Sequence, residues 1–225
     1  MRSSLLIPAV LASLAVLASA GPARAGDRNE LTLGSFNRAL RSASANAVTD
    51  EDLGGGVLTY ARDLRFHPVP RLAVWATGSF TWASAEGTMF QTLSTEIDAL
   101  GLSAGARARY RLLSRIVASA RVDVGAAHTS LRLADQMGRS ASDARWAGIA
   151  TAAVGLDLLA LAGPRFSLGI RLELGYTAAM APALTAGSDR GDDDEDKLRL
   201  PLNESSLGHL DLGGRFFGFS VLSQF

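Results

Sequence analysis

The chain has 225 residues, equal numbers of basic and acidic side chains, 48% hydrophobic residues and no cysteine. A neutral balance gives no reason to expect a nucleic-acid partner. The missing thiols exclude a disulfide scaffold, a thiolate nucleophile, a cysteine metal site and an acylated lipoprotein N-terminus.

The first element is a leader. Arg2 supplies a positive start, Leu5–Ala20 an apolar core, and Ala23-Arg24-Ala25 a small-x-small cleavage site. This is the pattern of a secretory signal peptide, and the run is too short and too rich in Ala and Ser to span a bilayer comfortably. Residues 1–25 are therefore expected to be removed, leaving one domain over 26–225; Ala18-Ser19-Ala20 offers an alternative cut, so the mature start is Gly26 or Gly21. No other apolar run approaches the length of a membrane helix, so any insertion into a bilayer must use strands.

Eight strands are predicted, with their apolar residues alternating as a half-buried strand requires. The first lies near Glu30–Arg41, with alternation failing around Phe36–Leu40. The second, near Gly56–Phe66, aligns Leu58, Tyr60, Leu64 and Phe66 on one face. The third, near Arg71–Ala83, sets Leu72, Val74, Ala76, Phe80 and Trp82 against Thr77, Ser79 and Thr81. The fourth, near Ala99–Leu112, sets Leu100, Leu102, Tyr110 and several alanines against Ser103, Gly105, Arg107, Arg109 and Arg111. In the fifth, near Arg115–Thr129, Ile116, Val122 and Val124 oppose Ser119, Arg121 and Asp123. In the sixth, near Arg145–Leu159, Trp146, Val154, Leu156 and Leu158 oppose Thr151 and Asp157. The seventh, Phe166–Tyr176 (FSLGIRLELGY), alternates without a break, and the eighth runs to Phe225.

The links alternate in length. His67-Pro68-Val69-Pro70, Leu113-Ser114 and Ala160–Arg165 are short and carry turn residues, whereas Ser42–Asp52, Ser84–Asp98, Ser130–Ala144 and Ala181–Glu204 are longer and more polar. That sorting fits an up-and-down membrane barrel with tight turns at one end and extended loops at the other. Aromatic residues agree. Phe66, Tyr110, Phe166 and Phe225 fall at the short-turn end of the apolar face, and Phe80, Trp82, Trp146 and Tyr176 toward the other, as two interfacial belts would require. The expected fold is thus all-β: an eight-stranded antiparallel up-and-down transmembrane β-barrel, with leucines toward lipid and charges toward the axis. Asp63, Arg65, Arg107, Arg109, Arg111, Arg121, Asp123, Asp157, Arg171 and Glu173 share the small-or-charged face and are expected to form an ion-pair network in the lumen. Arg62 and His128 fall on the lipid-facing register and Arg215 breaks the alternation. A β-bulge, or a place near the headgroups, would account for them.

With the leader, the eight alternating segments and the ending GFSVLSQF, the chain resembles the small eight-stranded outer-membrane barrels of Gram-negative bacteria, the OmpA transmembrane domain and OmpX among them. The resemblance implies an integral outer-membrane protein with envelope or surface roles and at most a narrow, porin-like charged path. If it conducts, Arg107, Arg109, Arg111 and Arg121 favour anions. It also implies that Phe217, Phe219, Val221 and Phe225 form the C-terminal signal read by the barrel-assembly machinery, although Ser223 departs from that signal's apolar preference. Expected partners are outer-membrane lipids, lipopolysaccharide and the assembly machinery, with the protein a monomer and no cofactor. With no domain expected after Phe225, peptidoglycan tethering has no support.

Other chemistry is weaker in the sequence. His128-Thr129-Ser130 has the His-x-Ser order of lipid A deacylases, but Leu131 follows where their pattern has Asn, and no acid is placed to orient the imidazole. Ser188–Lys197 (SDRGDDDEDK) spaces Asp192, Asp194 and Asp196 like the opening of an EF-hand. Lys197 stands in place of the required Gly and Asn203 in place of the closing Glu, so a solvated acidic loop is expected. Arg190-Gly191-Asp192 matches the integrin-recognition tripeptide by three residues only. Gly54-Gly55-Gly56 precedes a strand and no helix, so it is not a phosphate loop. A non-enzymatic barrel is the favoured reading. The alternatives are a lipid A-modifying hydrolase and a secreted lipocalin-like barrel with an apolar lumen.

Overall fold

In a computed structural model the described residues are 29–40, 45, 49, 52–89, 93–135, 140–163, 166–180, 183–186 and 205–225. The leader, the acidic run and the Arg-Gly-Asp tripeptide lie outside them. The strands are β1 (Asn29–Leu40), β2 (Leu53–Phe66), β3 (Leu72–Met89), β4 (Leu93–Arg111), β5 (Ile116–Asp135), β6 (Ser140–Ala162), β7 (Ser167–Ala179), β8 (Ala183–Ala186), β9 (Ser205–His209) and β10 (Gly214–Gln224). β1 to β7 and β10 form a closed antiparallel ring, in which β1 to β7 pair in chain order, β7 pairs with β10 and β10 closes on β1. β8 and β9 pair separately as a two-stranded ribbon; the sequence pattern predicted neither strand, β8 falling inside the expected link Ala181–Glu204 and β9 just after it.

Closure follows from the register. A ladder row that leaves β1 at Leu40 passes Gly214, Thr177, Thr151, Asp123, Gly105, Thr77 and Ala61 and returns to β1 at Glu30. That stagger tilts the strands by roughly 40–45° from the axis, the range small barrels need to close. Asn29 and Phe225 exchange backbone hydrogen bonds at 2.8 and 3.0 Å, sealing the short-turn end of the β1–β10 seam.

The faces are inverted relative to a soluble protein. Leu33, Leu102, Val122, Val124, Val154, Leu174, Phe217 and Val221 point outward and are exposed, Val124 at 68%. In β7, Ile170 and Leu174 are exposed while Arg171 and Glu173 are buried, so the leucine side of that strand faces out. The lower aromatics Phe66, Tyr110, Phe166 and Phe225 are all exposed on this outer wall, and Trp146 and Tyr176 are exposed near its other edge. On β3 the outward positions stay apolar or small from Leu72 to Trp82. At a rise of ~3.3 Å per residue and that tilt, the band is about 25 Å tall, a bilayer's hydrocarbon depth. Trp82 lies flat over Gly56, where a Cβ would come within 2.1 Å of the ring. Only glycine permits that approach.

Above the band, the strands continue. β3, β4, β5 and β6 have 18, 19, 20 and 23 residues, beyond the roughly 9–11 that cross a bilayer. Most of the expected loops Ser84–Asp98 and Ser130–Ala144 are therefore strand. The ladder there is unbroken, with Ser84 opposite Asp98 and Asp98 opposite Ser130, but the facing rule reverses. Ser84, Glu86, Glu96, Asp98 and Arg132 now point outward and are exposed, while Ala85, Ile97 and Leu131 point inward and are buried. The inward set joins Leu53, Ala45, Leu210 and Leu212 in an apolar plug that fills the long-loop end. Val117, Leu159 and Leu222 form a smaller apolar group near the short-turn end.

Arg62 and His128 do keep the outward register. The β2–β3 irregularity falls just after Arg62, between Asp63 and Phe66, where Arg65 adopts a left-handed backbone (φ 57°). His128 stays in continuous ladder and meets Trp146 edge to face at 5.2 Å. Arg215 is also exposed, opposite Tyr176. Phe36, Arg38 and Leu40 point inward, which is why alternation fails at the top of β1.

Two predictions follow from these faces. Val154→Arg, near mid-band on the outer wall, should cost about 2–4 kcal/mol of unfolding free energy in phospholipid vesicles, while Ser84→Arg above the band should cost about 0–1 kcal/mol; equal costs would contradict the inversion. The second concerns Asp98, whose carboxyl sits above its ordinary range, through partial burial first and the Glu96 carboxylate second. An acid with a raised native pKa destabilises the fold at pH values above that pKa, and the cost vanishes once the pH drops below the unfolded value of about 3.9. Asp98→Asn should therefore be slightly more stable than the parent at pH 7 and indistinguishable from it near pH 3, by urea titration at each pH.

Candidate functional site: the buried ionic cluster

Inside the ring, just above the lower apolar group, β1, β4, β5, β6 and β7 converge charged side chains. Glu30 of β1 is the hub. Its Oε1 accepts from Arg107 Nη1 at 2.7 Å and from Arg171 Nη1 at 2.6 Å, and its Oε2 lies 3.0 Å from Arg109 Nη1. Thr32 Oγ1 and Gln224 Nε2 also donate to this carboxylate, at 3.2 and 3.0 Å. Asp157 takes a two-pronged contact from Arg171 through Nε and Nη2, and a further hydrogen bond from Arg109 Nη2 at 2.9 Å. On the other flank Arg121 Nη1 donates to Asp123 Oδ2 at 2.8 Å, while Thr77 Oγ1 donates to Asp123 Oδ1 at 2.6 Å. Arg121 Nε lies 3.2 Å from Glu173 Oε1, close enough for an ion pair but not aligned as a hydrogen bond, and Arg107 Nη2 is 3.6 Å from the same oxygen.

The charge arithmetic is balanced: Arg107, Arg109, Arg121 and Arg171 against Glu30, Asp123, Asp157 and Glu173. All eight are buried, Glu30, Asp157 and Arg171 to 0% exposure. A lone ion so placed would carry a desolvation cost of several kcal/mol, which only mutual pairing with further hydrogen bonds can offset. Arginine suits the task because its planar fork can bridge two carboxylates at once, as Arg171 does between Glu30 and Asp157. Trp75 packs under the cluster, with Arg109 lying over its ring at 4.9 Å.

The structure thus brings together Arg107, Arg109, Arg121, Asp123, Asp157, Arg171 and Glu173, and leaves Asp63, Arg65 and Arg111 outside the cluster. Those three lie at the short-turn mouth. Asp63 Oδ1 accepts from the Arg65 backbone N–H at 2.8 Å and its Oδ2 is 3.7 Å from His67. Arg65 and Arg111 are exposed. The bulge after Asp63 turns the chain out of the inward register, which is the physical reason Arg65 misses the lumen. Sequence reasoning missed the hub itself. Glu30 alternates with Leu31 and Leu33, the same signal used on other strands, but it is the second residue of its strand, where the alternation has only begun. Trp75 was missed because a large ring stands on the small-residue face.

At the C-terminus, Phe217, Phe219, Val221 and Phe225 alternate on the outer wall, all exposed. His128 and Ser130 share that wall, with Thr129 buried between them; among the described residues His128 contacts Trp146 and no carboxylate. No cluster suited to a metal ion occurs among the described residues.

Comparison with known proteins finds no matching family profile and no matching curated sequence. Similar solved structures include Ail, the attachment invasion locus protein of Yersinia pestis (12% identity, TM-score 0.47, covering 88% of this chain and 98% of that one). The β domain of the Bordetella autotransporter BrkA has 9% identity and a TM-score of 0.48, with 88% and 98% coverage. Neisserial surface protein A has 8% identity and a TM-score of 0.39, with 88% and 96% coverage. At those values the likeness says nothing of this chain's activity. The architecture stands on the closed ring itself, an eight-stranded antiparallel up-and-down barrel with an apolar outer band.

Removing one partner from the cluster leaves the others buried without a counter-charge. Glu30→Ala should destabilise the barrel by about 3–5 kcal/mol in urea unfolding. A Glu30→Ala/Arg107→Ala cycle should return a coupling above about 1 kcal/mol, since each deletion alone leaves an unpaired charge. Additive losses would show that the pair does not act as one unit.

Proposed function

We propose that this chain is an integral outer-membrane protein that works through its wall and its external projection, with a lumen sealed to solutes. The single observation that carries this reading is the pairing of a bilayer-deep apolar outer band with an interior blocked in series by ionic and apolar layers. A porous barrel leaves a watered axis, and porins use sixteen or more strands to obtain it. Here Glu30 and its arginines occupy the axis, and Leu53, Ile97, Leu131 and Leu212 close the path above them.

The location is supported by the leader pattern and by the C-terminal alternation that ends at Phe225. Outer-membrane lipids and lipopolysaccharide would contact the wall, and the assembly machinery would read Phe217, Phe219, Val221 and Phe225 during insertion. The protein would act as a monomer, because the ring already satisfies every strand edge within the bilayer. Surface contact would fall to β3–β6, which rise beyond the band as a four-stranded sheet with Glu86, Glu96, Asp98 and Arg132 on its outer side. A lipocalin-like role loses its premise because the lumen is ionic rather than apolar. A hydrolase would need a partner to orient His128, which instead packs on Trp146.

Fractionation of cells expressing the full chain should place it in the outer membrane, with faster gel mobility before boiling than after. Purified protein in planar bilayers should give no conductance steps. Recovery in the soluble periplasmic fraction would overturn the membrane reading, and reproducible unitary steps would overturn the sealed lumen.

A further inference from the structure

Between the ionic cluster and the apolar plug the inward face changes character. Ser79 and Thr81 of β3, Ser103 of β4, Thr151 of β6 and Ser220 of β10 surround a cavity of about 40 Å³, with Phe36 and Phe216 at its side and Arg38 and Arg121 on its wall. The space is room for roughly three water molecules. It persists partly because Phe216 turns over Gly175, where a Cβ would approach the ring within 2.5 Å.

Arg38 sets this cavity apart. The four arginines below it are matched by the four carboxylates of their own cluster, and Arg38 stands outside that set. Among the described residues it makes no ion pair. Its contacts are a long hydrogen bond from Nη1 to the Leu212 carbonyl at 3.4 Å and the Phe36 ring at 5.2 Å, and its buried Nε has no partner. Neither a carbonyl dipole nor a ring face neutralises a full charge in a site shielded by the plug. Arg121, on the same wall, is already held by Asp123 and Glu173. What the cavity offers is one excess positive charge, hydroxyl donors on several sides, and little volume.

We propose that this chamber binds one small monovalent anion, of the size of chloride, bromide or formate, held by the Arg38 guanidinium and by the hydroxyls of Ser79, Thr81 and Thr151. The single excess charge selects a monoanion over a dianion. The volume excludes sugar acids and phosphate esters. Glu173, which also lines the chamber, keeps the anion toward Arg38 by repulsion. Occupancy would complete the charge balance of the interior and couple the top of β1 to β3 and β6 through one ion.

The test uses the full barrel refolded in detergent. Replacing gluconate by chloride at constant ionic strength should raise the unfolding temperature of the parent progressively, as ligand linkage requires, and should leave Arg38→Met unmoved. Crystals grown in sodium bromide should show an anomalous peak within hydrogen-bonding distance of Arg38, absent in Arg38→Met. Thr81→Val, which keeps the guanidinium, should retain the peak with at least tenfold weaker bromide affinity; it also serves if Arg38→Met does not fold. The proposal is overturned by equal chloride dependence in parent and Arg38→Met, by water alone at Arg38 in bromide crystals, or by a carboxylate from another part of the chain occupying the chamber.

Discussion

A backbone amide in hydrocarbon has no water to turn to, and that single constraint organises this molecule. Every N–H and C=O within the apolar band must find a partner in the wall, so an open sheet is excluded and the last strand must return to the first. β10 meets β1 over its full length, from Glu30 opposite Gln224 to Leu40 opposite Gly214. Once the ring is closed with this stagger, its radius is fixed, and the interior becomes too narrow for a waterway yet too wide to be left empty. What fills it is then a question of which side chains can be buried there.

The filling chosen is ionic, and the choice has consequences. An apolar core of equal volume is often as stable as a buried ion-pair cluster, so such a cluster is weak support for stability as such. What charges supply is directionality. Arg171 can satisfy Glu30 and Asp157 together only if β1, β6 and β7 stand in their observed register, and a slip by one residue would carry Arg171 out to lipid. The cluster thereby ties together strands far apart in sequence; Glu30 and Arg171 are separated by 141 positions.

How much of this was legible beforehand depends on where each strand lies. β7 was plain, because FSLGIRLELGY never breaks step and both of its faces are in one environment along their whole length. The seven clustered charges on β4 to β7 were legible for the same reason. Glu30 was hidden by position, at the very start of its strand, although its alternation with Leu31 and Leu33 was available. Arg65 was misplaced because a bulge is a local backbone event, and nothing in Asp63-Leu64-Arg65-Phe66 announces it except a break in alternation that a strand end also explains. Arg38 was unreadable as a lumen charge because Phe36 and Leu40 beside it are apolar, which a lipid-facing reading assigns to the wrong side.

The largest omission, the upper halves of β3 to β6, has one physical cause. Within the bilayer the outside is the apolar solvent, so even-numbered residues of β3 such as Phe80 and Trp82 carry the hydrophobic signal. Two residues later the outside is water, and the signal passes to the odd-numbered Ala83 and Ala85 without any break in the ladder. The same exchange occurs on β4 between Leu100 and Ala99, and on β5 between Val124 and Leu131. A pattern reader that follows apolar phase sees the strand end there, because a phase slip ordinarily means a turn or bulge. In a barrel that projects from a membrane, a slip of phase with no slip of register marks the water boundary itself. Trp82, Leu100, His128 and Trp146 stand on that line, and the rings of Trp82, His128 and Trp146 sit where an amphipathic side chain is most at ease. The place where prediction failed is therefore the place where the solvent changes.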